Sequence, residues 1–465
     1  MTGLVGLMLS LVLLMALAYR GVSVIVLAPA LAMLAVAVSG DIPVLAAYTQ
    51  IFMPALGRFL TRYFPIFLLG AAFGTLMDAS GSARVIADRI SRALGSRHAI
   101  LAVVLCVAAL TYGGVSLFVV AFAAFPLATS LFRAADIPRR LVPGAIALGS
   151  WTFTMSCLPG SMQIQNLIPM PYFRTTAFAA PGLGVLGACC IFTLGMVWLD
   201  RRARIAARRG EGYGPADPAG AGRRDADAAG EDGSPRPAFA LAVLPVVAVL
   251  ASNYLCAELW IPTWDTSYLA EPRFGGATIA DVRGIWSSIL SLLAACGLVV
   301  AASPRCRARL GELLASAAKG SLLPLVNTAS EVGYGATIAA LPAFIVVRDA
   351  MLEFVPGNPL VSEAATVSVL AGITGSASGG LSIALESLGA TYLQRALDCG
   401  VSPEVMHRVA SMASGGLDTL PHNGAVITLL TICGLSHRES YLDIGMVTVV
   451  IPLVALAVVI AAAGL

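Results

Sequence analysis

Charged residues are scarce in this chain of 465 residues, where only 12% are Asp, Glu, Lys or Arg. Soluble domains carry about 25% charged residues, so this chain has too few to cover a water-exposed surface. The composition therefore excludes a soluble globular enzyme. Because 58% of the residues are hydrophobic and the mean hydropathy is +0.85, a disordered chain is excluded as well. The apolar runs are continuous and do not alternate as the strands of a transmembrane β-barrel do, which leaves an all-α polytopic membrane protein.

Cysteine pairs and enzyme motifs are also lacking. The nine cysteines form no CxxC pattern and most lie in apolar runs, so we interpret them as small buried residues. The sequence contains no Walker motif, HExxH or GxSxG. We therefore expect no catalytic residues, no cofactor and no metal site. The net charge of +3 is too small to indicate a nucleic-acid partner.

Apolar windows of about 20 residues, the length that crosses a bilayer, predict ten spans. They lie near residues 3–19, 22–39, 63–80, 140–158, 177–199, 238–257, 285–302, 321–345, 404–435 and 441–464. Two longer apolar stretches, 98–132 and 360–394, are interrupted by small residues at 111–116 and 374–380. Their arms, roughly 21–24 Å as helix, are short for a full crossing. Each stretch therefore predicts a re-entrant helical hairpin with its tip inside the membrane.

Arginine placement predicts how these elements are oriented. Five arginines within 201–209 assign the loop 201–237 to the cytoplasm by the positive-inside rule. Counting from this loop, both ends of 98–132 are cytoplasmic and both ends of 360–394 lie outside. The two hairpins then enter the membrane from opposite sides.

An internal repeat supports the same organisation. Residues 128–136 and 390–398, which are 262 positions apart, are identical at six of nine positions. The sequence therefore predicts two inverted repeats, 1–200 and 238–465, joined by the cytoplasmic linker loop 201–237. Each repeat contains about five transmembrane helices and one hairpin, an organisation found in many secondary transporters.

The span that follows each hairpin, 140–168 or 404–435, contains a Pro- and Gly-rich interruption. The first interrupted segment is 156–166 and the second is 414–424. Pro and Gly unwind a helix, and unwound backbone at membrane depth is tolerated only where protein buries it or water reaches it. We expect the two hairpin tips and the two interrupted segments to surround one polar cavity. The alternative is that they are kinks that let helices pack closely.

Four ionisable residues at membrane depth are candidates for proton coupling, because charge is costly there. They are Glu331, Glu386, Asp418 and His422. A His near a carboxylate suits a proton relay, and a neutral packing pair is the alternative for Asp418 and His422. His98, His407 and His437 lie at predicted span ends, where we expect solvent to reach them.

Uncharged polar groups and glycines at the interruptions are the candidate substrate contacts, since hydroxyls and amides suit a small carboxylate that bears hydroxyls. The set comprises Thr111, Gly113, Gly114, Ser116, Gly160, Ser161, Gln163, Gln165, Asn166, Gly375, Ser376, Ser378 and Asn423.

Both interrupted segments carry a resemblance that extends over essentially the whole chain. The strings LPGSMQIQNLIP at 158–169 and SGGLDTLPHNG at 414–424 resemble the gluconate permease (GntP) family, within the larger ion transporter superfamily. Sugar-acid members typically carry a Glu in the first hairpin interruption and a His-Pro-Gly-Pro-like string in the first interrupted segment. Here Tyr-Gly-Gly at 112–114 and Pro-Gly-Ser-Met at 159–162 stand in those places. The pattern that contains Thr-Leu-Pro-His-Asn at 419–423 resembles more closely the branch associated with 3-hydroxybutyrate.

The resemblance implies a secondary active transporter that imports small hydroxy-monocarboxylates by proton symport, with 3-hydroxybutyrate as the best guess. Gluconate or another sugar acid, and Na⁺ in place of H⁺, are the alternatives, and an intramembrane enzyme that uses Asp418 and His422 is a different class. We expect a multi-pass protein of the bacterial inner membrane, in contact with the lipid bilayer. A homodimer is expected only by analogy with the superfamily.

Overall fold

The computed structural model describes residues 2–20, 22–95, 98–114, 117–214, 237–352, 357–421 and 423–464. Over these ranges the chain is helical and contains no β-strand, which confirms the all-α class. Two predicted site residues, Ser116 and His422, lie outside the described ranges, as do residues 215–236 of the predicted linker loop.

The α-helices before the linker are joined mostly by short turns. Their bounds are Thr2–Tyr19, Val24–Ser39, Val44–Ala47, Met53–Ala79, Ser82–Leu94, Ala99–Tyr112, Leu117–Ala134, Val142–Ser150, Ile164–Leu167, Met170–Phe173 and Pro181–Arg208. Those after the linker are Phe239–Tyr254, Ile279–Ala302, Pro304–Ala308, Leu310–Ala339, Phe344–Leu352, Pro359–Thr374, Ala377–Asp398, Pro403–Ser414, Gly424–Cys433, His437–Gly445 and Ile451–Ala463.

Several helical stretches are long and apolar enough to cross a membrane. Within the described ranges there are five: Val44–Ala79, Pro181–Arg208, Phe239–Thr263, Ile279–Ala302 and His437–Ala463. Large apolar side chains on these stretches are exposed, among them Val197, Val247 and Leu293. Apolar surface on this scale is costly in water and is covered by lipid in a bilayer. The chain is a multi-pass membrane protein.

Three helix boundaries differ from those predicted. The stretch Val44–Ala79 begins well before the predicted span 63–80, because Arg58 and Arg62 lower the hydropathy of its first part. The helix Leu310–Ala339 likewise begins before the predicted span 321–345. The helix Pro181–Arg208 continues through residues 201–208, which we had assigned to the linker loop, because Arg and Ala are strong helix formers.

Both interrupted apolar stretches form two helices that pack against each other. In the first, Ala99–Tyr112 contacts Leu117–Ala134, and in the second, Pro359–Thr374 contacts Ala377–Asp398. We refer to these pairs as the first and second hairpins. The second hairpin turns at Gly375, whose φ of +62° lies in the left-handed region that favours glycine. Five residues later, a Cβ at Gly380 would overlap the backbone of Ala371, so glycine there lets the two arms approach closely.

The long helix Leu310–Ala339 lies at the centre of one side of the molecule. It packs against Val24–Ser39, Met53–Ala79 and the second arm of the second hairpin, Ala377–Asp398. On the other side, the helix Val142–Ser150, which leads into the first interrupted segment, packs against the first hairpin. Each interrupted segment is therefore held between a hairpin and surrounding long helices.

Candidate functional site

The first interrupted segment leaves its helix soon after Ser150. A π-helical turn covers Phe153–Cys157, and the next α-helix begins only at Ile164. Gly160, with φ +78°, lets its N–H donate to the carbonyl of Ala177 at 2.8 Å. A Cβ at this position would lie 2.6 Å from the ring of Phe178. The unwound backbone is therefore folded back against the chain that follows it.

A buried arginine from the other half of the chain fills this interruption. Arg408, in the helix Pro403–Ser414, has no exposed surface. Its guanidinium donates to the carbonyls of Ser156 (2.9 Å) and Ala179 (2.8 and 3.2 Å) and to Oδ1 of Asn166 (2.9 Å). Among the described residues no carboxylate lies within 4.0 Å of it. The freed carbonyls therefore solvate a positive charge that has no anionic partner there.

Asn166 and His407 complete this network. The Asn166 amide nitrogen donates to the carbonyls of Ser161 and Ala177, both at 2.9 Å. Its oxygen also faces Nε2 of His407 at 3.4 Å, while Nδ1 of that ring lies 2.6 Å from the Thr175 hydroxyl. Asn166, predicted as a substrate contact, is thus occupied with protein partners. The expectation that His407 is solvated is wrong, because the ring is fully buried in this network.

The first hairpin tip meets the same segment. The Tyr112 hydroxyl donates to the Pro159 carbonyl at 2.6 Å, and the Gln163 amide donates to the Thr111 carbonyl at 2.8 Å. The Ser161 hydroxyl donates to the Thr154 carbonyl at 2.6 Å. A Cβ at Gly114 would lie 3.4 Å from Met162, and one at Gly113 would lie 3.1 Å from Val246. The predicted residues of the first tip and first segment are therefore brought together.

Two predicted contact residues of the first half each have a buried side-chain atom without a hydrogen-bond partner within the described part of the chain. These atoms are Oγ1 of Thr111 and Oε1 of Gln165. Unpaired buried polar atoms are rare in folded proteins, and each calls for an explanation such as an absent ligand or water. Among the predicted contact residues of the first half, Thr111 and Gln165 therefore each keep a buried oxygen that a ligand could reach.

In the second interrupted segment, Asn423 joins the interruption to the tip of the second hairpin. Its side-chain nitrogen donates to the carbonyls of Gly375 (2.8 Å) and Asp418 (2.9 Å). Its oxygen accepts from the N–H groups of Ala425 (2.5 Å) and Val426 (3.0 Å), which caps the helix Gly424–Cys433. The predicted contact Asn423 is therefore also engaged with the protein.

Asp418 lies in the 3-10 turn Leu417–Thr419 and is only 5% exposed. Its Oδ1 atom is buried and has no hydrogen-bond partner among the residues that the structure describes. Neighbouring polar groups are paired with one another, since Thr419 donates to Thr448 at 2.7 Å and the Tyr441 hydroxyl donates to the Thr419 carbonyl at 3.1 Å. One oxygen of the Asp418 carboxyl, Oδ1, is thus left unsatisfied within the described ranges, while backbone N–H groups of Thr419 and Asp418 interact with the carboxyl group.

Glu331 meets the second hairpin tip from the central helix Leu310–Ala339. It is 3% exposed, and its Oε2 accepts from the Ser376 hydroxyl at 3.4 Å. A Cβ at Gly379 would overlap this carboxylate, so the absent side chain leaves room for it at the N-terminus of the helix Ala377–Asp398. The Ser378 hydroxyl lies 3.5 Å from that of Ser376. A carboxylate is favoured at a helix N-terminus by the helix dipole.

Glu386 does not join this group. It lies further along the same helix, where Oε1 accepts from Nη2 of Arg58 at 3.0 Å and Oε2 accepts from the Tyr172 hydroxyl at 2.9 Å. The second arm therefore carries Ser376 and Ser378 at the tip and Glu386 at a separate cleft that is open to the surroundings.

The sequence arguments did not identify three buried charged residues, Arg408, Glu363 and Asp443. Arg408 was overlooked although a lone Arg inside a predicted span is itself a signal of function or tight pairing. Glu363, in the first arm of the second hairpin, is fully buried, and neither carboxyl oxygen has a partner among the described residues. No group of three or more His, Cys, Asp or Glu in the described ranges could hold a metal ion.

Comparison with curated proteins shows what kind of protein has this arrangement. The chain is 46% identical over 457 residues to the protein named "Uncharacterized transporter YxjC" of Bacillus subtilis (strain 168), and the match covers 96% of each chain. The chain belongs to the family of that transporter. No family model matches the chain. The relationship makes it a transport protein and not an enzyme, with a small-molecule substrate.

A solved structure shares the fold of this transporter. The crystal structure of the YdaH transporter from Alcanivorax borkumensis superposes with a TM-score of 0.54 at 16% sequence identity, and the match covers 88% of this chain and 86% of that chain. At this identity the likeness concerns the fold alone. Hairpin tips against interrupted segments, with buried charge at each, are consistent with a path for a small polar substrate across the membrane.

Proposed function

We propose that this transporter is a proton symporter that imports small hydroxy-monocarboxylates, with 3-hydroxybutyrate as the best candidate, across a bacterial inner membrane. The observation that carries the proposal is the buried carboxyl of Asp418, whose Oδ1 has no partner in the described part of the chain. An ionised carboxylate in such a place is costly, whereas a protonated one is tolerated. A proton that binds here travels with the substrate and is released when the site meets the other side.

A carboxylate substrate is supported by the charges nearby. Arg408 places a buried positive charge at the first interrupted segment without a carboxylate partner within 4.0 Å in the described ranges. The helix Ala377–Asp398 presents its N-terminus at the second tip, which favours an anion, and a substrate carboxylate that binds there would displace the carboxylate of Glu331. The hydroxyls of Ser376 and Ser378 and the free oxygens of Thr111 and Gln165 suit a substrate that also bears a hydroxyl group.

Two alternatives remain in the same class. A sugar acid such as gluconate would use the same anion site with more hydroxyl contacts, but the sequence differs from the sugar-acid pattern at 112–114 and 159–162. Na⁺ in place of H⁺ would use Asp418 together with freed carbonyls as a cation site. In both alternatives the protein is still a transporter, and only the transported solute or the coupled ion differs.

The membrane arrangement that we propose is two inverted repeats, 1–200 and 238–465, with hairpins that enter from opposite sides. In a cysteine-free variant, a single cysteine at 211 is expected to react only with a reagent on the cytoplasmic side, and one at 271 only with a reagent outside. Labelling of both positions from the same side would contradict this topology.

The decisive experiment is uptake into proteoliposomes of purified protein. An imposed inward pH gradient should drive accumulation of labelled 3-hydroxybutyrate, and excess unlabelled gluconate should compete weakly. Accumulation that is driven by a Na⁺ gradient at fixed pH would show that the coupled ion is Na⁺ and not H⁺. Uptake that never exceeds equilibrium under either gradient would indicate a channel and would refute symport.

The coupling residue is tested in the same vesicles. Asp418→Asn should abolish pH-driven accumulation while exchange of substrate down its own gradient partly survives, because the proton site is lost and the path remains. Glu331→Gln is the matched variant at the buried carboxyl that contacts the second hairpin tip. If Asp418→Asn accumulates normally and Glu331→Gln does not, the coupling group is Glu331.

A further inference from the structure

Glu386 lies in a cleft separate from the two hairpin tips. The cleft is small and opens to the surroundings, so it has room for a carboxylate group and not for a large ligand. Its polar lining comes from Arg58, Arg62, Tyr63, Tyr172 and Glu386, and the rest of the lining is apolar. Two guanidinium groups, two phenols and one carboxylate on an apolar floor are the components of an anion site.

The carboxylate of Glu386 already occupies the donors of this cleft. Nη2 of Arg58 donates to Oε1 at 3.0 Å, and the Tyr172 hydroxyl donates to Oε2 at 2.9 Å. A substrate carboxylate has the same two oxygens and can accept from the same two donors. The side chain of Arg58 is 63% exposed and that of Glu386 is 22% exposed, so solvent and solutes reach the pair. Exposed ion pairs contribute little free energy, so exchanging one carboxylate for another costs little.

The charges around the cleft leave a positive excess. Arg62 interacts with the Tyr63 phenol and lies within electrostatic range of Asp281. Asp281 is itself paired with Arg174 at 3.3 Å. Together with the Arg58–Glu386 pair, the described side chains here carry three positive and two negative charges, and Arg62 is the surplus cation. A monovalent anion would balance it.

The cleft also contacts elements of the proposed transport path. The Tyr63 hydroxyl donates at 3.1 Å to the carbonyl of Ile168, just beyond the first interrupted segment. Tyr172 packs on the second hairpin, where a Cβ at Gly389 would lie 3.1 Å from its ring. Val332 lines the cleft, and the preceding residue, Glu331, contacts the hairpin tip. A ligand that displaced Glu386 would release the hairpin arm from Arg58 and Tyr172.

We propose that this cleft is the capture site for the carboxylate group of the transported anion, and that Glu386 holds its donors until the substrate displaces it. The cleft lies beside Asp281 and Arg174, on the face that the predicted topology places outside. Glu386 then acts as an internal competitor and gate residue, not as a proton carrier. This inference rests on the proposed import of a carboxylate, and it adds the place where that carboxylate first binds.

Equilibrium binding to the purified full-length protein tests the inference without requiring transport. Calorimetric titrations would use 3-hydroxybutyrate, gluconate and the uncharged 1,3-butanediol. Wild-type protein should bind at least one of the acids and not the diol. Arg58→Gln and Arg62→Gln should each raise the Kd of the bound acid by about tenfold or more, the loss expected for one charge-assisted contact. Glu386→Gln should lower that Kd, because a neutral amide competes less well for Arg58.

A matched control is Arg273→Gln, since Arg273 is an exposed arginine, paired with Glu271, that does not line the cleft. Its Kd should equal that of the wild type. In proteoliposomes Arg62→Gln should raise KM while the maximal rate changes little, and Arg62→Lys should restore part of the affinity.

The outcomes separate this inference from the proposed function. Unchanged acid binding in Arg58→Gln and Arg62→Gln would overturn the capture site even if proton-driven uptake is normal. Loss of pH-driven accumulation in Glu386→Gln with exchange intact would make Glu386 a coupling group and would also overturn it. If gluconate binds more tightly than 3-hydroxybutyrate, or if Na⁺ drives uptake at fixed pH, the proposed function fails, while tenfold weaker binding in the two variants still supports the cleft. Wild-type protein that binds neither acid would refute both.

Discussion

The two interrupted segments have similar backbone interruptions but differ in what fills them. In the first, the guanidinium of Arg408 and the amide of Asn166 bind the freed carbonyls. In the second, Asn423 ties the backbone to the hairpin tip, and the carboxyl of Asp418 keeps a buried oxygen without a partner in the described ranges.

The difference follows from the chemistry of the two charges. A guanidinium has five N–H donors, and unwound backbone supplies carbonyl acceptors, so an arginine can be fully solvated by the interruption itself. A carboxylate has only acceptors and needs donors, and although backbone N–H groups of Asp418 and Thr419 face the Asp418 carboxyl, its Oδ1 has no donor in the described ranges. It is satisfied only by a proton, a cation or a donor from elsewhere. The first interrupted segment is therefore stabilised by Arg408, whereas the second leaves Asp418 as a candidate site for a proton or a cation.

The largest loss of stability should come from removing the charge of Arg408 at the first interrupted segment. Arg408→Gln loses most of the hydrogen bonds to Ser156, Ala179 and Asn166, each worth about 1.5–3 kcal/mol for a charged donor. We expect little folded protein, measured by size-exclusion chromatography of the detergent-solubilised protein. Arg408→Lys keeps the charge and should retain more. A stable Arg408→Gln protein with normal uptake would remove the distinction between the two segments.

The next largest loss of stability should come from Asp443→Asn, which removes a buried carboxylate that is paired. Asp443 is fully buried and accepts from Arg202 at 2.7 Å, Arg140 at 3.1 Å and Trp198 at 3.1 Å. Breaking a fully buried pair costs about 3–5 kcal/mol, and because Arg140 and Arg202 are 21% and 22% exposed and Arg140 also pairs with Glu211, we expect the lower end of that range. Thermal unfolding should therefore shift strongly downward, while any uptake that remains stays coupled to the pH gradient.

Asp418→Asn should show the opposite pattern to Asp443→Asn. Its carboxyl has an unpartnered oxygen, so an amide of the same shape should leave the unfolding temperature unchanged or raise it. The pH-driven accumulation should be lost. A large loss of stability in Asp418→Asn would mean that this carboxyl is paired, and the contrast between the segments would fail.

Smaller effects are expected from the neutral side chains of each segment. Asn423→Ala loses a helix cap and the bond to Gly375, about 2 kcal/mol in total. Ser161→Ala loses one bond to the Thr154 carbonyl, about 1 kcal/mol. Thermal unfolding of the two variants should preserve this order. The reverse order would show that the neutral side chain of Ser161 contributes more to stability than the cap and tip contact of Asn423.

The smallest effect should come from Glu211, which pairs with Arg140 at 2.6 Å at the protein surface. The hydrogen bond from Arg140 lowers the pKa of the Glu211 carboxyl below its usual range. Its contribution is therefore present at neutral pH and is lost as the pH falls through the lowered pKa. Glu211→Gln should cost less than about 1 kcal/mol at pH 7 and nothing in acid, measured by unfolding at both pH values.

The sequence predicted the helical class, both hairpins as paired helices and the positions of both interruptions. These features depend on local composition, since Pro and Gly interrupt a helix wherever they lie and apolar runs of fixed length form helices in a membrane. The sequence did not predict that Asn166 is bound by Arg408, or that Glu386 pairs with Arg58. Those pairs join residues more than 200 positions apart, and no local pattern encodes them.

The sequence by itself therefore determined that this chain crosses a membrane as helices and where its backbone is interrupted. Only the tertiary structure decided which polar side chains form hydrogen bonds within the protein and which keep an atom available to a ligand. The physical reason is that the free energy of a buried polar group depends on whether the fold supplies its hydrogen-bond partners. Arg408 and Asp418 are both ionisable residues near interruptions in the sequence, but only the folded chain surrounds the first with acceptors and leaves an oxygen of the second without a described donor.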